Sequence, residues 1–345
     1  MNEPTNQRKI EHIDIIRRDP HTDRNLRAFD RMHLQHRALP ELNLSEIDTS
    51  LTFLGKPLSF PLLISSMTGG DHDLVRTVNH NLARAAEVCQ VAMGVGSQRV
   101  MFTHPQSRPS FALRDTAPTA LLFANLGAVQ LNKGFDATSC QAAIDALNAD
   151  GLYLHLNPLQ EAVQPEGDTC FRGLAQRIGQ MVRELNTPIL VKEIGCGLSQ
   201  ADADLLIAHG VRMLDVAGSG GTSWSRIEHH RAGTSTDQLG VLFQDWGIPT
   251  PDALQLLAPH RKQGVTLIAS GGLRDALDMI KSIILGASLC GMAKPFLEPA
   301  LISPEAVIDK IESLHRAFRT AMFLLGCPTL SHLQGNDDLL RQPCA

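Results

Sequence analysis

The 345-residue chain is short of several things, and each shortage removes a class of protein. Its formal charge of −5 offers no basic field for nucleic acid or an anionic membrane surface. No apolar run reaches the roughly 18 residues a spanning helix needs. The opening MNEPTNQRKI is polar and lacks the apolar stretch of a secretion signal, so a cytoplasmic protein is expected. Seven Cys, an odd number without CxxC spacing, suit reduced thiols better than a disulfide framework or a zinc site.

What is present is a core and a rhythm. With 43% hydrophobic and 19% charged residues, the chain can bury a large interior. From residue 61 onward, short apolar runs alternate with helical patterns. The runs are Pro61–Ile64, Val91–Val95, Ala120–Ala124, Gly151–Leu154, Pro188–Val191, Arg212–Val216, Val265–Ala269 and Ala287–Gly291. Continuous rather than alternating apolar runs indicate parallel strands covered on both faces. Eight βα units over this length predict an α/β fold, a (β/α)8 TIM barrel, with a doubly wound open sheet as runner-up. A single domain is expected over 1–345. It comprises an N-terminal polar arm (1–50), the barrel (about 61–300) and a C-terminal helix (303–325) striped with Val307, Ile311, Leu314, Phe318, Met322 and Leu325. The arm, with eight Arg or Lys between Arg8 and Arg37, reads as largely solvated. Arg8 and Lys9 are the cations placed to reach over an anionic site.

Barrel active sites lie at the carboxyl ends of the strands. Here those ends carry Thr68, Ser97, Arg99, Asn125, His155, Asn157, Gln160, Glu161, Lys192, Thr222, Ser270 and Lys294, while the strand interiors carry almost no charge. Ser270-Gly-Gly272 reads as opening a helix and, with Gly291-Met-Ala293, as a phosphate cradle. Lys192 follows a buried run, where an unpaired ammonium is costly. It suits either a Schiff base or the electron-rich edge of a flavin. Glu161 is a candidate Mg2+ ligand, since that ion needs few carboxylates when phosphate and water complete its shell. Gly218-Ser-Gly-Gly-Thr222 offers amides and a hydroxyl for phosphate or cofactor but lacks the strand–GxGxxG–helix context and the acidic residue of a dinucleotide site. Ser199 with Asp202 caps one helix, and Thr250-Pro251 reads as a cap followed by proline at the first helical position.

In order along the chain, Arg8-Lys9, HRALPE (36–41), MTGG (67–70), GVGSQR (94–99), ANLGA (124–128), HLNPLQE (155–161), VKEIGCG (191–197), DVAGSGGTSW (215–224), ASGGLRDALD (269–278) and GMAKP (291–295) resemble type 2, flavin-dependent isopentenyl diphosphate isomerases. The resemblance implies FMN, reduced with NADPH, and Mg2+, acting on isopentenyl and dimethylallyl diphosphates in a homotetramer or octamer. It implies that Met67, Thr68, Gly69, Ser97, Asn125, Lys192 and Thr222 contact FMN, and that Gly271, Gly272, Leu273, Ala293 and Lys294 hold its phosphate. It places Arg8, Lys9, Ser97, Gln98, Arg99, His155, Asn157 and Gln160 on the substrate and Glu161 on the metal. Moving a double bond by one carbon requires a proton added at one end and removed at the other. Gln160, Lys192 and Glu228 are the candidate catalytic side chains, with Glu228 equally readable as a solvated loop acid. An α-hydroxy-acid oxidase, an aldolase using Lys192 and a flavin-binding sensor are the alternatives; the oxidase loses ground because ASGGLRDA holds no His.

Overall fold

The computed structural model describes residues 4–67, 69–70, 72–232 and 238–341, with side chains from residue 11 onward except that of Ala232. Its apolar runs form eight parallel strands: β1 (Leu62–Ile64), β2 (Ala92–Gly94), β3 (Leu122–Gly127), β4 (Gly151–Leu156), β5 (Ile189–Glu193), β6 (Met213–Asp215), β7 (Thr266–Ser270) and β8 (Leu289–Met292). Each pairs with the next, and β8 pairs back onto β1 through Cys290 and Leu62, so the barrel closes without an edge. Closure excludes the doubly wound sheet.

Successive residues of a strand face opposite ways, and this splits the apolar runs into two cores. Leu62, Ile64, Leu152, Leu154, Leu267 and Ala269 pack outward in the large cluster beneath the surrounding helices. Leu63, Ala92, Phe123, Tyr153, Leu190, Ile268 and Leu289 pack inward as a separate cluster. The hairpin Leu51–Phe53 with Lys56–Leu58 adds Phe53 and Leu58 to that inner cluster. Two residues further along the same inward face stand Ser65, Gly94, Asn125, His155, Lys192, Asp215, Ser270 and Gly291. The barrel interior is thus an apolar layer with a polar layer directly above it.

Helices follow most strands. Ser199 caps Gln200–Ala208 with the reciprocal Asp202 bond, as its spacing predicts. The C-terminal helix, Pro304–Leu325, buries Val307, Ile311, Leu314, Phe318, Met322 and Leu325 and ends at Gly326 in the left-handed region.

Four expectations change. The N-terminal arm is not merely solvated. Its helix, Pro4–Arg18, buries His12, Ile13 and Ile15, and the chain beyond it bonds Arg24 and Leu26 amides to Gly221 and Gly220 carbonyls. The segment after Trp224 is a helix, Trp224–Ala232, so Glu228 is fully buried rather than a solvated loop acid. Ser270-Gly-Gly272 does not open a helix: the next one, Ala276–Ile284, begins four residues later, and Asp275 already occupies its Leu277 and Asp278 amides. Thr250 does not cap its helix, Thr250–Leu257; Pro249 takes that position, and the Thr250 hydroxyl donates to the Ser270 and Gly271 carbonyls instead. Among the described residues, no helix is long and apolar enough to cross a membrane.

Candidate active site

A cavity of about 570 Å3 opens above the polar layer. Ser65, Asn125, His155, Lys192, Ser270 and Gly291 form its floor, and His12, Gln160, Thr222, Trp224 and Lys294 stand around it. Of the residues expected at a cofactor, Met67, Ser97, Asn125, Lys192, Thr222, Gly271, Gly272, Leu273, Ala293 and Lys294 all line this cavity. Gly69 supports it from behind: a Cβ there would lie 2.7 Å from the Ser97 carbonyl. Thr68 and the side chains of Arg8 and Lys9 lie outside the described residues.

Strand register sets the floor. His155 pairs with Gly127 on one side and Lys192 on the other, and Lys192 pairs with Asp215. The Asn125 amide donates to the Val95 carbonyl (3.0 Å), leaving its oxygen 2.8 Å from His155 Nδ1. Lys192 donates to the Glu193 carbonyl (2.9 Å), and its ammonium lies 5.9 Å from the centre of the Tyr153 ring. Beneath it Asp215 is fully buried and accepts from Ser270 Oγ (2.6 Å) and Tyr153 Oη (3.3 Å). Burial pushes the Asp215 carboxyl up, opposed by the Lys192 charge and these hydrogen bonds. Glu193, next along β5, is raised by burial to about 7, although three successive amides donate to it.

The side of the cavity is assembled differently, by side chains meeting across distant elements. Gln160 Nε2 donates to Glu228 Oε1 (2.7 Å), and His12 Nε2 lies 3.2 Å from the same oxygen. Arg231 bonds the other Glu228 oxygen. Burial alone would raise Glu228; the hydrogen bonds and charges of His12, Gln160 and Arg231 outweigh it and hold the carboxyl at about 2. Glu228 is therefore ionised at neutral pH, a base or a counter-charge rather than a donor.

Beside the cavity, Asn157 Nδ2 bridges Gln160 Oε1 (3.2 Å) and Glu161 Oε1 (2.7 Å). Asn157 and Glu161 are buried and Arg99 is partly exposed; none of the three lines the cavity itself. Gln98 is not at the site. It is fully buried and spends its amide on the Asn125 N–H (2.9 Å) and the Ala143 carbonyl (2.8 Å). The sequence reading passed over His12, Asp215 and Trp224. Asp215 ends an apolar run just as Lys192 does, so the same argument was open to it. No local signal marks His12, whose partner Glu228 is 216 positions away.

Three features fit a flavin phosphate and ring. Gly271 and Gly272 have φ of +89° and +73°, and a Cβ on Gly272 would meet Gly220 backbone at 2.8 Å, so only glycine leaves this cradle open. Ser65 and Ser66 hydroxyls are buried without a partner among the described residues. The helix Lys294–Ile302 begins at the cavity with Ala293 and carries no side-chain cap; Pro295 has no N–H and the Phe296 amide bonds the Ala293 carbonyl, which leaves the Lys294 amide for an anion. The metal evidence is thinner. No group of three His, Cys, Asp or Glu that could hold a metal ion gathers among the described residues, and the two Glu161 oxygens accept from Asn157 Nδ2 (2.7 Å) and the Asp168 amide (2.6 Å).

Residues 6–102 and 159–341 match the family described as FMN-dependent dehydrogenase. Among solved structures, the fold is similar to a lactate oxidase from Pediococcus acidilactici (TM-score 0.67, 16% identity, 93% of this chain and 86% of that one). It is also similar to a flavocytochrome b2 mutant with benzoylformate (TM-score 0.65, 16% identity, 96% and 79%). Curated relatives are much nearer in sequence. Proteins named isopentenyl-diphosphate delta-isomerase are 56% identical in Paracoccus zeaxanthinifaciens (97% of each chain) and 52% in Hydrogenovibrio crunogenus (98% of each). The Nostoc protein of that name is 46% identical over 98% of this chain and 96% of its own. With that identity over nearly its whole length, on an FMN-dependent barrel, the chain belongs to the type 2 isopentenyl-diphosphate delta-isomerase family.

Proposed function

We propose that this enzyme interconverts isopentenyl and dimethylallyl diphosphates by a 1,3 proton shift, with reduced FMN, NADPH as its reductant, and Mg2+ on the diphosphate. The relatives' shared name supports the substrate. The manner rests on one observation: Glu228, fully buried beside the cavity, is bonded by Gln160, His12 and Arg231. Bound reduced FMN would supply the acid–base group that gives and recovers the proton, with no net redox change.

The chain's own residues do the rest. Lys192 would hold the flavin ring through its charge, and the Gly271–Leu273 turn, with Ala293 and Lys294, would hold its phosphate. Gln160, bonded through its nitrogen to Glu228 and through its oxygen to Asn157, is fixed at the cavity side and orients the reacting carbons. The Glu228 carboxylate and the Trp224 ring stabilise positive charge developing on the alkene during protonation. Arg8, Lys9 and His155, with Arg99 and Asn157 beside the cavity, would take the diphosphate, and Glu161 would take the metal. The assembly is read as a cytoplasmic homotetramer or octamer, which light scattering tests.

Anaerobic incubation of the protein with FMN, NADPH, Mg2+ and isopentenyl diphosphate, followed by proton NMR, should yield the allylic isomer in many-fold excess over NADPH oxidised. Stoichiometric NADPH oxidation without isomer would instead indicate a reductase. A colourless protein that cannot be reconstituted, and that borohydride inactivates with a carbonyl substrate, would indicate an aldolase.

A further inference from the structure

Asp168 touches four other residues drawn from three strand-end segments, yet no reading of the site gives it a role. Its side chain is only 14% exposed. One carboxylate oxygen lies 2.9 Å from Lys133 Nζ; the other lies 3.4 Å from Arg99 Nη1 and accepts from Gln130 Nε2 at 3.4 Å. Its backbone N–H donates to Glu161 Oε2 at 2.6 Å. The turn that brings it back is built for this purpose: a Cβ on Gly167 would collide with the Glu161 carbonyl, so only glycine lets the loop return so closely.

Two long cationic side chains converging on one point repel each other and lose rotamer freedom when fixed. A shared counter-ion removes both obstacles. We propose that Asp168 is the positioning residue of the diphosphate end, holding Arg99 and Lys133 as a pair of anion-binding cations while its amide fixes Glu161, and that Lys133 is itself a diphosphate contact. The inference rests on the reading of this enzyme as acting on a diphosphate and adds a cation and an organiser to it. The Asp168 charge also opposes an incoming anion. At a partly exposed rim that repulsion is screened, whereas the disorder of two unanchored cations is not, so losing the carboxylate weakens binding.

The test compares FMN-loaded wild type, Asp168→Asn, Asp168→Glu and Lys133→Met by calorimetric titration with inorganic pyrophosphate in MgCl2, and by kcat and KM for isopentenyl diphosphate. Asp168→Asn should raise the pyrophosphate Kd and KM about tenfold or more, with kcat within about threefold and the flavin content unchanged. Asp168→Glu should recover part of the affinity. Lys133→Met, a half-exposed side chain whose loss spares folding, should raise Kd about threefold to tenfold. The double variant should fall short of the product of the single effects, because the two groups act as a unit. Unchanged or tighter pyrophosphate binding in Asp168→Asn, or an unchanged Kd in Lys133→Met, overturns the proposal. So does a parallel loss of flavin, kcat and thermal stability in Asp168→Asn, which would mark a loop strut. If wild type makes no isomer yet the pyrophosphate effects appear, the anion site stands and the isomerase reading falls.

Discussion

The floor and the side of the cavity are made by different physics. On the floor, Asn125, His155, Lys192 and Asp215 stand on neighbouring strands in register, and the barrel's ladder places them. At the side, Gln160, Glu228, His12 and Arg231 come from three helices and are placed only by one another. The floor is a rigid platform for a planar cofactor; the side is a charge network that can change without disturbing the barrel. The difference teaches that flavin retention and substrate chemistry should separate by mutation.

The largest effect should come from breaking the floor. Lys192→Met removes the ammonium whose charge offsets buried Asp215, a loss of about 3 kcal/mol in urea unfolding at neutral pH, together with most flavin binding. Breaking the side should look different. Glu228→Gln should lower kcat on the order of 100-fold while leaving the flavin spectrum intact.

The same variant carries a pH signature. The folded carboxyl titrates at about 2 against an ordinary 4.5, so its ionised form contributes stability that is full above about 4.5 and is lost as pH falls toward 2. That contribution is about 3 kcal/mol. Glu228→Gln should flatten this part of the acid limb in denaturant titrations; an unchanged limb would place the wild-type group near its ordinary value.

Smaller effects sharpen the boundary on the floor side. Gly272→Ala puts a Cβ at φ +73° against the Gly220 backbone, at a cost of about 1–2 kcal/mol. FMN affinity, read by fluorescence quenching, should fall about tenfold. Thr250→Val removes a donor to the Ser270 and Gly271 carbonyls, and the Ser270 oxygen keeps its bond from the Gly218 amide (2.9 Å). About 1 kcal/mol is expected, seen as a few-fold weaker FMN binding.

The two regions were also unequally legible in the sequence. The floor announces itself: a polar residue at the end of a continuous apolar run, such as Asn125 or Lys192, has few purely structural explanations, and the period of two fixes which way it points. The barrel could be read for the same reason. The side could be read only on HLNPLQE and at Glu228, where a solvated loop acid was an equal reading. His12 sits in a charged arm that looks solvated, because its burial depends on a helix more than two hundred residues away. The residues expected to form a phosphate cradle do line the cavity, but the helix-opening argument for Ser270-Gly-Gly272 fails. The helix after Ser270-Gly-Gly272 has its Leu277 and Asp278 amides taken by Asp275, and the uncapped one, Lys294–Ile302, stands at the cavity instead. Capping depends on one side chain, Asp275, whose rotamer no apolar pattern reveals.

The separation of floor from side is tested most directly by the FMN dissociation constant of Glu228→Gln set against that of Gly272→Ala. The account predicts a value within about twofold of wild type for Glu228→Gln, against a roughly tenfold weakening for Gly272→Ala. If Glu228→Gln loses FMN as readily as Gly272→Ala, the side is part of the cofactor platform and the division drawn here is wrong.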